Sequence, residues 1–450
     1  MTDTADVAPI ETTVRQIELG PHRVVLASTG RSTAVDQNDE PVLRTADGRR
    51  LSTAVRQARD QRIPFVLVIS TTGVAVEDGL AASAGWASLA RELAQASGII
   101  PTVAIAAGPV VSGPSLLLGL VDLVIFTADS YVYVNGPRSV ETYTGVPISG
   151  DELGGLSTHL RSTGLASLAA ETVDDAIEMA ADVLAYLPSS VDELPPTVAT
   201  DDPVDRVNEG LGELLPTTPA GSYDVRDVIT EVVDDGQFLE LRAGWSPNLV
   251  TGLATLGGRP VGVVANQTQS LAGSVDIPAA QKGARFVAMC DAFNIPLVTM
   301  VDTSGFLPGK DLEWRGMIRH GAQMAFAYAR ATVPRIGLIL RKSYGGAYIV
   351  MDSVNMGNDL MLAWPTAEVA VMGAKGAVEI LHRKAEPERR AELEAQYEAH
   401  YLTPYPAAER SSISAVIDPA DTRRELIAGL SMLASKRERL RSRRHDNSPL

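Results

Sequence analysis

Two glycines at the junction of a strand and a helix are the first place where this sequence offers chemistry. Tyr344-Gly345-Gly346-Ala347-Tyr348 follows the apolar run that starts at Ile336 and leads into a helical stretch. A buried strand that enters a helix this way presents consecutive backbone N–H groups at the positive end of the helix, where they stabilise an oxyanion. Gly345 and Gly346 let the chain curve sharply and let a ligand approach with no Cβ in between. The residues alone leave a second reading open, a crowded turn with no ligand. Tyr344 and Tyr348 flank the glycines either as walls for a planar ligand or as plain packing.

The same arrangement occurs earlier. Gly98–Val111 reads as a strand ending in Ser112-Gly113-Pro114, and Gly113 and Gly346 stand 233 positions apart. Ser112 and Gly113 supply N–H groups; Pro114 has none, but in a first helical turn none is needed. Two further pairs keep the same order. Ile63-Pro64 opens an apolar strand ending at Thr71-Thr72-Gly73, and Ile295-Pro296 opens one ending at Thr303-Ser304-Gly305, an offset of 232. Asp122 and Asp359 follow at 237. Three ordered matches at a nearly constant offset indicate an internal duplication.

The elements that must position these turns are short, continuously apolar strands alternating with helical stretches such as Gly85–Ala96 and Ile318–Thr332. That pattern predicts an α/β fold with covered sheets. A chain of 450 residues also exceeds the roughly 250–300 at which single cores stop growing. A Pro-, Asp- and Gly-rich stretch from Leu187 to Gly221 reads as a linker, so domains are expected at 1–222 and 223–450. The basic run Lys436, Arg437, Arg439, Arg441, Arg443 and Arg444 is expected on a helix, as a solvated face or subunit contact.

Composition excludes several classes. A net charge of −16 and a pI near 4.9 argue against nucleic acid or an anionic membrane as the main partner. The start lacks the basic and apolar regions of a signal peptide, and no apolar run reaches the ~18–20 residues of a membrane span. A single cysteine, Cys290, in apolar surroundings fits a buried thiol and a reducing compartment, so a cytoplasmic protein is expected. The six histidines, His22, His159, His320, His382, His400 and His445, show neither metal-ligand spacing nor a nucleophile elbow, and no metal is expected. Lys282 and Arg285 read either as phosphate contacts or as exposed helix charges.

Asn266-Gln267, Asp276-Ile277, Lys282–Phe286, Cys290–Pro296, Gly305–Gly309, Ile318–Ala322, Tyr344–Tyr348 and Trp364–Ala377 carry a resemblance. Through them the chain resembles the carboxyltransferase (β) subunit of biotin-dependent acyl-CoA carboxylases, the propionyl-/acetyl-CoA carboxylase group. The resemblance implies two crotonase-like domains, a homohexamer or mixed hexamer, and a separate biotin carboxylase/biotin carboxyl carrier chain. It implies that the ureido anion left when carboxybiotin releases CO₂ is held by the N–H groups of Gly346 and Ala347. The enolate of an acyl-CoA would be held at Ser112 and Gly113, where the family has two glycines. Substrate contacts would include Tyr344, Gly345, Tyr348, Ile349, Gly136, Gly373 and Ala374. Biotin carries the hard chemistry, and this half-reaction requires no metal.

Departures from the family concentrate in the first half. Its usual arginine is Ala75, a basic position is Glu141, an expected histidine is Ser167, and Ser304 replaces a frequent proline. Ile349 in the implied acyl pocket leans towards short, acetyl or mixed, acyl groups. The losses leave other readings: a non-catalytic carboxyltransferase-like subunit of a mixed complex, or a transcarboxylase or decarboxylase acting on a non-standard acyl carrier.

Overall fold

The computed structural model describes residues 12–29, 41–218, 220–438, 440–442 and 444–449. The chain divides into two compact units, Met1–Leu194 and Pro195–Leu450.

The first unit contains β1 (Thr13–Leu19), β2 (His22–Ser28), β3 (Phe65–Thr71), β4 (Thr102–Val111), β5 (Leu123–Thr127), β6 (Tyr131–Tyr133) and β7 (Leu168–Ala170). They form one sheet in the order β1-β2-β3-β4-β5-β7, with β6 extending β4. β1 and β2 are an antiparallel hairpin and every later pairing is parallel. All seven residues of β3 are buried, as expected of a strand covered on both faces. Helices α1 (Thr45–Gln61) and α2 (Leu80–Ala96) bury Leu51, Val55, Leu89 and Leu93 in the same core.

The second unit repeats the plan with β8 (Phe238–Glu240), β9 (Leu249–Leu256), β10 (Arg259–Asn266), β11 (Leu297–Thr303), β12 (Arg335–Tyr344), β13 (Leu360–Ala363), β14 (Glu368–Ala370) and β15 (Ala415–Val416). Its order is β15-β13-β12-β11-β10-β9-β8, with β14 on β12. The antiparallel hairpin β9–β10 stands for β1–β2, and parallel β11, β12, β13 and β14 stand for β3, β4, β5 and β6. Even the irregularities recur: β3–β4 shifts register between Ile69 and Thr71, and β11–β12 between Val301 and Thr303. Helices α3 (Ile277–Ala292), α4 (Met317–Arg330), α5 (Gly345–Val350) and α6 (Thr422–Leu433) complete the layer around it.

Residues 195–222 belong to the second unit, whereas composition places them at the end of the first domain. Their polar backbone is spent there: Val198 N–H donates to Gly258 O at 2.8 Å and Asn208 N–H to Ala420 O at 3.1 Å. The basic C-terminal run also departs from expectation, since α6 stops at Leu433 and the described residues beyond Lys436 form no helix. Lys436 Nζ there bonds Asp359 Oδ2 at 2.8 Å and Val333 O at 3.1 Å; Arg439 and Arg443 lie outside the described residues.

Candidate active site

In the second unit β12 ends at Tyr344 (φ −110°, ψ 140°), and Gly345, at φ +59°, swings the chain into α5. That left-handed conformation favours glycine, and a Cβ on Gly345 would also stand 3.1 Å from Val371 O. Gly345, Gly346 and Ala347 open the helix, where N–H groups have no intrahelical acceptor. Gly346 is exposed and Ala347 buried. A Cβ on Gly346 would lie 3.4 Å from the Phe306 ring, and one on Gly373 3.6 Å from the Tyr344 ring. Gly345, Tyr344, Phe306 and the Val371–Gly373 loop therefore gather around the turn. Gly373 caps the helix that begins at Ala374. Tyr344 donates its hydroxyl to the Glu368 carboxylate, and burial together with that carboxylate pushes its pKa up. Tyr348 and Ile349 are half-buried on α5, with Tyr348 OH 3.5 Å from Ser412 O.

Buried polar networks fix both ends of this turn. Asp302, at the end of β11, accepts Lys342 N–H at 3.1 Å through Oδ1; its Oδ2 accepts Arg341 Nε and Tyr223 OH, both at 3.0 Å. Beyond α5, Asp352 accepts Arg335 Nη1 at 2.5 Å and Asn358 Nδ2 at 2.9 Å. None of Asp302, Arg335 or Asp352 was singled out from sequence. Their only linear signal is a charge inside or beside an apolar run, which is costly unless paired.

The first unit builds its turn with two different residues. Ser112 takes the place of Gly345 and has φ +66°, ψ −153°. Its N–H donates to Tyr133 O at 3.0 Å, so it extends the β4–β6 ladder. By position Gly113 then matches Gly346, and Pro114 matches Ala347. The short 3-10 helix Gly113–Gly119 follows, with Ser115 N–H donating to Ser112 O at 3.0 Å. Gly113 N–H meets no acceptor among the described residues. Of the expected pair, Ser112 is already bonded and Gly113 is free, while Pro114 has no hydrogen to give. Gly136 sits beside this turn through Tyr133, whose ring would lie 3.4 Å from a Cβ on Gly136. The preceding loops match closely: Gly73 has φ +138° and Gly305 +137°. Thr71 Oγ1 accepts Gly73 N–H at 3.2 Å, as Thr303 Oγ1 accepts Gly305 N–H at 3.3 Å.

Most of the other residues named from sequence serve structure. Ala75 is buried, with its N–H on Leu43 O at 3.0 Å. Ser167 is buried and bonds Val124 through both its N–H and Oγ. Glu141 is exposed. Lys282 contacts no solvent-facing site: it is 2% exposed and donates to Arg242 O and Trp245 O at 2.9 Å and Ser246 O at 3.4 Å. Arg285 is exposed. His22 and His159 are buried and bonded to backbone carbonyls. Among the described residues no three His, Cys, Asp or Glu side chains gather to hold a metal, and no helix is long and apolar enough to cross a membrane.

Residues 27–448 match the carboxyl transferase domain family. The chain belongs to the carboxyl transferase family. It is 39% identical over 432 residues to the propionyl-CoA carboxylase carboxyltransferase subunit of Haloferax mediterranei, covering 94% of this chain and 84% of the relative. It is 38% identical over 443 residues to the biotin-dependent acetyl-/propionyl-coenzyme A carboxylase beta5 subunit of Mycobacterium tuberculosis, covering 94% and 81%. The crystal structure of transcarboxylase 12S, a hexamer with methylmalonyl-coenzyme A and methylmalonic acid bound, is similar at TM-score 0.92 and 38% identity, covering 95% of this chain and 83% of that one. This carboxyl transferase thus has the two-domain crotonase-like architecture, and the two turns described above are its duplicated strand-to-helix junctions.

Proposed function

We propose that this chain moves a carboxyl group from carboxybiotin, carried on a separate biotin carboxylase/biotin carboxyl carrier chain, to the α-carbon of a short acyl-CoA such as acetyl- or propionyl-CoA. The observation that carries this reading is one strand-to-helix turn built twice, β4 into Gly113–Gly119 and β12 into α5. The second turn fits a planar, polar ring. Gly346 is exposed with no side chain, two N–H groups open the helix beside it, and Tyr344 and Gly373 stand next to it. Biotin supplies the labile carboxyl group and, once that has left, a ureido group able to take the α-proton.

The N–H groups of Gly346 and Ala347 hold the charge that develops on the ureido oxygen. In the first unit Gly113 N–H holds the thioester oxygen as the α-proton leaves. Preorganised donors of this kind each lower the barrier by ~3–4 kcal/mol. Tyr344, Gly345, Tyr348, Ile349, Gly373 and Ala374 contact substrate on the biotin side, and Gly136 on the acyl side. The first unit is assigned to the thioester and the second, residues 195–450, to biotin. The assembly proposed is a ring-shaped homohexamer or mixed hexamer, supported by the hexamer assembly of the transcarboxylase relative, and the compartment proposed is the cytoplasm. The test is to incubate the chain and a biotinylated partner with ATP, bicarbonate and acetyl-, propionyl- or butyryl-CoA. Biotin-dependent dicarboxylic thioester supports the assignment; no product with any thioester sinks it.

A second reading, a non-catalytic subunit of a mixed hexamer, is favoured by Pro114, by Ala75 and Glu141, and by the lack of any lysine before Lys282. Native mass spectrometry separates the two. A fully active homohexamer would rule out the second.

A further inference from the structure

We infer that the indole Nε1–H of Trp86 is the second donor of the first unit's turn, standing in for the N–H that Pro114 lacks. This rests on the reading of that turn as the enolate site. Three observations carry it. The turn itself has one unclaimed backbone donor: Ser112 N–H is bonded to Tyr133 O at 3.0 Å, Pro114 has no hydrogen, and Gly113 remains. Against Gly113 stands the nitrogen-bearing edge of the Trp86 ring. A Cβ on Gly113 would be 2.9 Å from Cζ2, 3.1 Å from Cε2 and 3.2 Å from Nε1. Finally, Nε1–H finds no acceptor among the described residues, although Trp86 is half-buried, and indole N–H groups so placed usually have a partner.

The backbone fixes the ring where it is. Gly85, next to Trp86 on α2, is pressed onto the start of α1, its Cβ position 3.3 Å from Thr45 Cα. Small movements of α2 are thereby resisted. The matching contact in the second unit is made by the Phe306 ring, 3.4 Å from a Cβ on Gly346. Phenylalanine has no donor, and beside it Ala347 retains its N–H. A side-chain donor thus appears in the copy that lost a backbone one.

The experiment uses the full chain with its biotinylated partner and two substitutions that remove the N–H: Trp86→Phe, which keeps an aromatic ring, and β-(3-benzothienyl)alanine at 86, which keeps the bicyclic shape and replaces N–H by sulfur. Both are expected to lower kcat for acyl-CoA carboxylation roughly 10²–10³-fold with KM within about threefold. Adding Pro114→Ala to Trp86→Phe restores a backbone N–H and is expected to recover at least tenfold. In parallel, binding of a nitroalkyl thioether of CoA in its nitronate form, a stable stand-in for the enolate, is measured by calorimetry. Tenfold weaker binding in both ring variants, recovered by Pro114→Ala, supports the assignment. Equal binding by wild type and both ring variants overturns the role of Trp86 and leaves the enolate site standing. No nitronate binding by wild type overturns the enolate site, and the role of Trp86 with it.

Discussion

The backbone N–H of Ser112 donates to the carbonyl of Tyr133 at 3.0 Å, which ties the residue at the mouth of the first turn into the β4–β6 ladder. The bond holds Ser112 at φ +66°, ψ −153°, a region that glycine occupies freely and a side chain occupies at a cost of ~1–3 kcal/mol. Ser112→Gly removes that strain while loosening the unfolded chain by ~0.5–1 kcal/mol. The net expectation is a melting temperature higher by a few degrees, with the ladder bond intact. Calorimetry decides: an equal or lower midpoint would mean that the strain is no larger than what glycine costs in the unfolded chain.

Ala347 is the position where the two turns part, since its counterpart is Pro114. Ala347→Pro removes one N–H from the first turn of α5, where proline is tolerated. If the charge on the biotin side is held by both N–H groups, kcat for carboxylation falls ~10²–10³-fold. The circular dichroism and assembly state should match wild type. An active Ala347→Pro enzyme would leave Gly346 as the only donor that matters.

The duplication was legible because each copy writes it in local signals: an Ile-Pro strand start, a Thr-x-Gly strand end, and a small-residue turn after the next strand. Gly73 and Gly305 share their φ within a degree, so even the loop geometry follows from those residues. What the sequence could not show is which N–H groups remain free. Ser112 reads as a donor until β6 pairs with β4 and Tyr133 claims it. Trp86 was silent for the same reason: it stands 27 positions before Gly113 and meets it only through the packing of α2. Lys282 reads from sequence as a phosphate contact or an exposed helix charge, and neither holds, because the three carbonyls that take its ammonium lie on a distant loop and leave no trace in its neighbours.

Lys282 makes a pH prediction possible. Burial, with Arg242 and Arg226 nearby, pushes its ammonium down to about 7, far below the unfolded value of ~10.4. Between those values the unfolded chain binds a proton that the folded one does not, so stability from this group rises with pH from about 7 to 10.5. Lys282→Met removes the effect. It also leaves the carbonyls of Arg242, Trp245 and Ser246 without their donor, at a cost of ~1–3 kcal/mol. Urea midpoints for wild type and Lys282→Met, measured at pH 7 and 9.5, should diverge towards high pH. Parallel pH profiles would show that Lys282 titrates as an ordinary lysine.

Arg423 explains why residues 195–222, linker-like in composition, fold with the second unit. It is fully buried on α6, and its guanidinium reaches Pro203 O at 3.1 Å, Val232 O at 2.9 Å and Asp234 Oδ1 at 2.6 Å. Burial pulls the Asp234 pKa up, but donors from Gly258, Arg423 and Gly257 outweigh it and hold the carboxyl below its usual range. Removing the arginine alone leaves that carboxylate buried without a counter-charge, which typically costs ~3–5 kcal/mol. Arg423→Met is therefore expected to lower the melting temperature of the second unit by roughly 10 °C. It should also speed proteolytic cleavage within 195–222, because Pro203 loses its anchor. Arg423→Met with Asp234→Asn removes both charges and should regain part of the midpoint, while cleavage of the segment stays fast. If the double variant regains none of the midpoint, the stabilisation comes from the backbone contacts of the guanidinium and the ion pair contributes little.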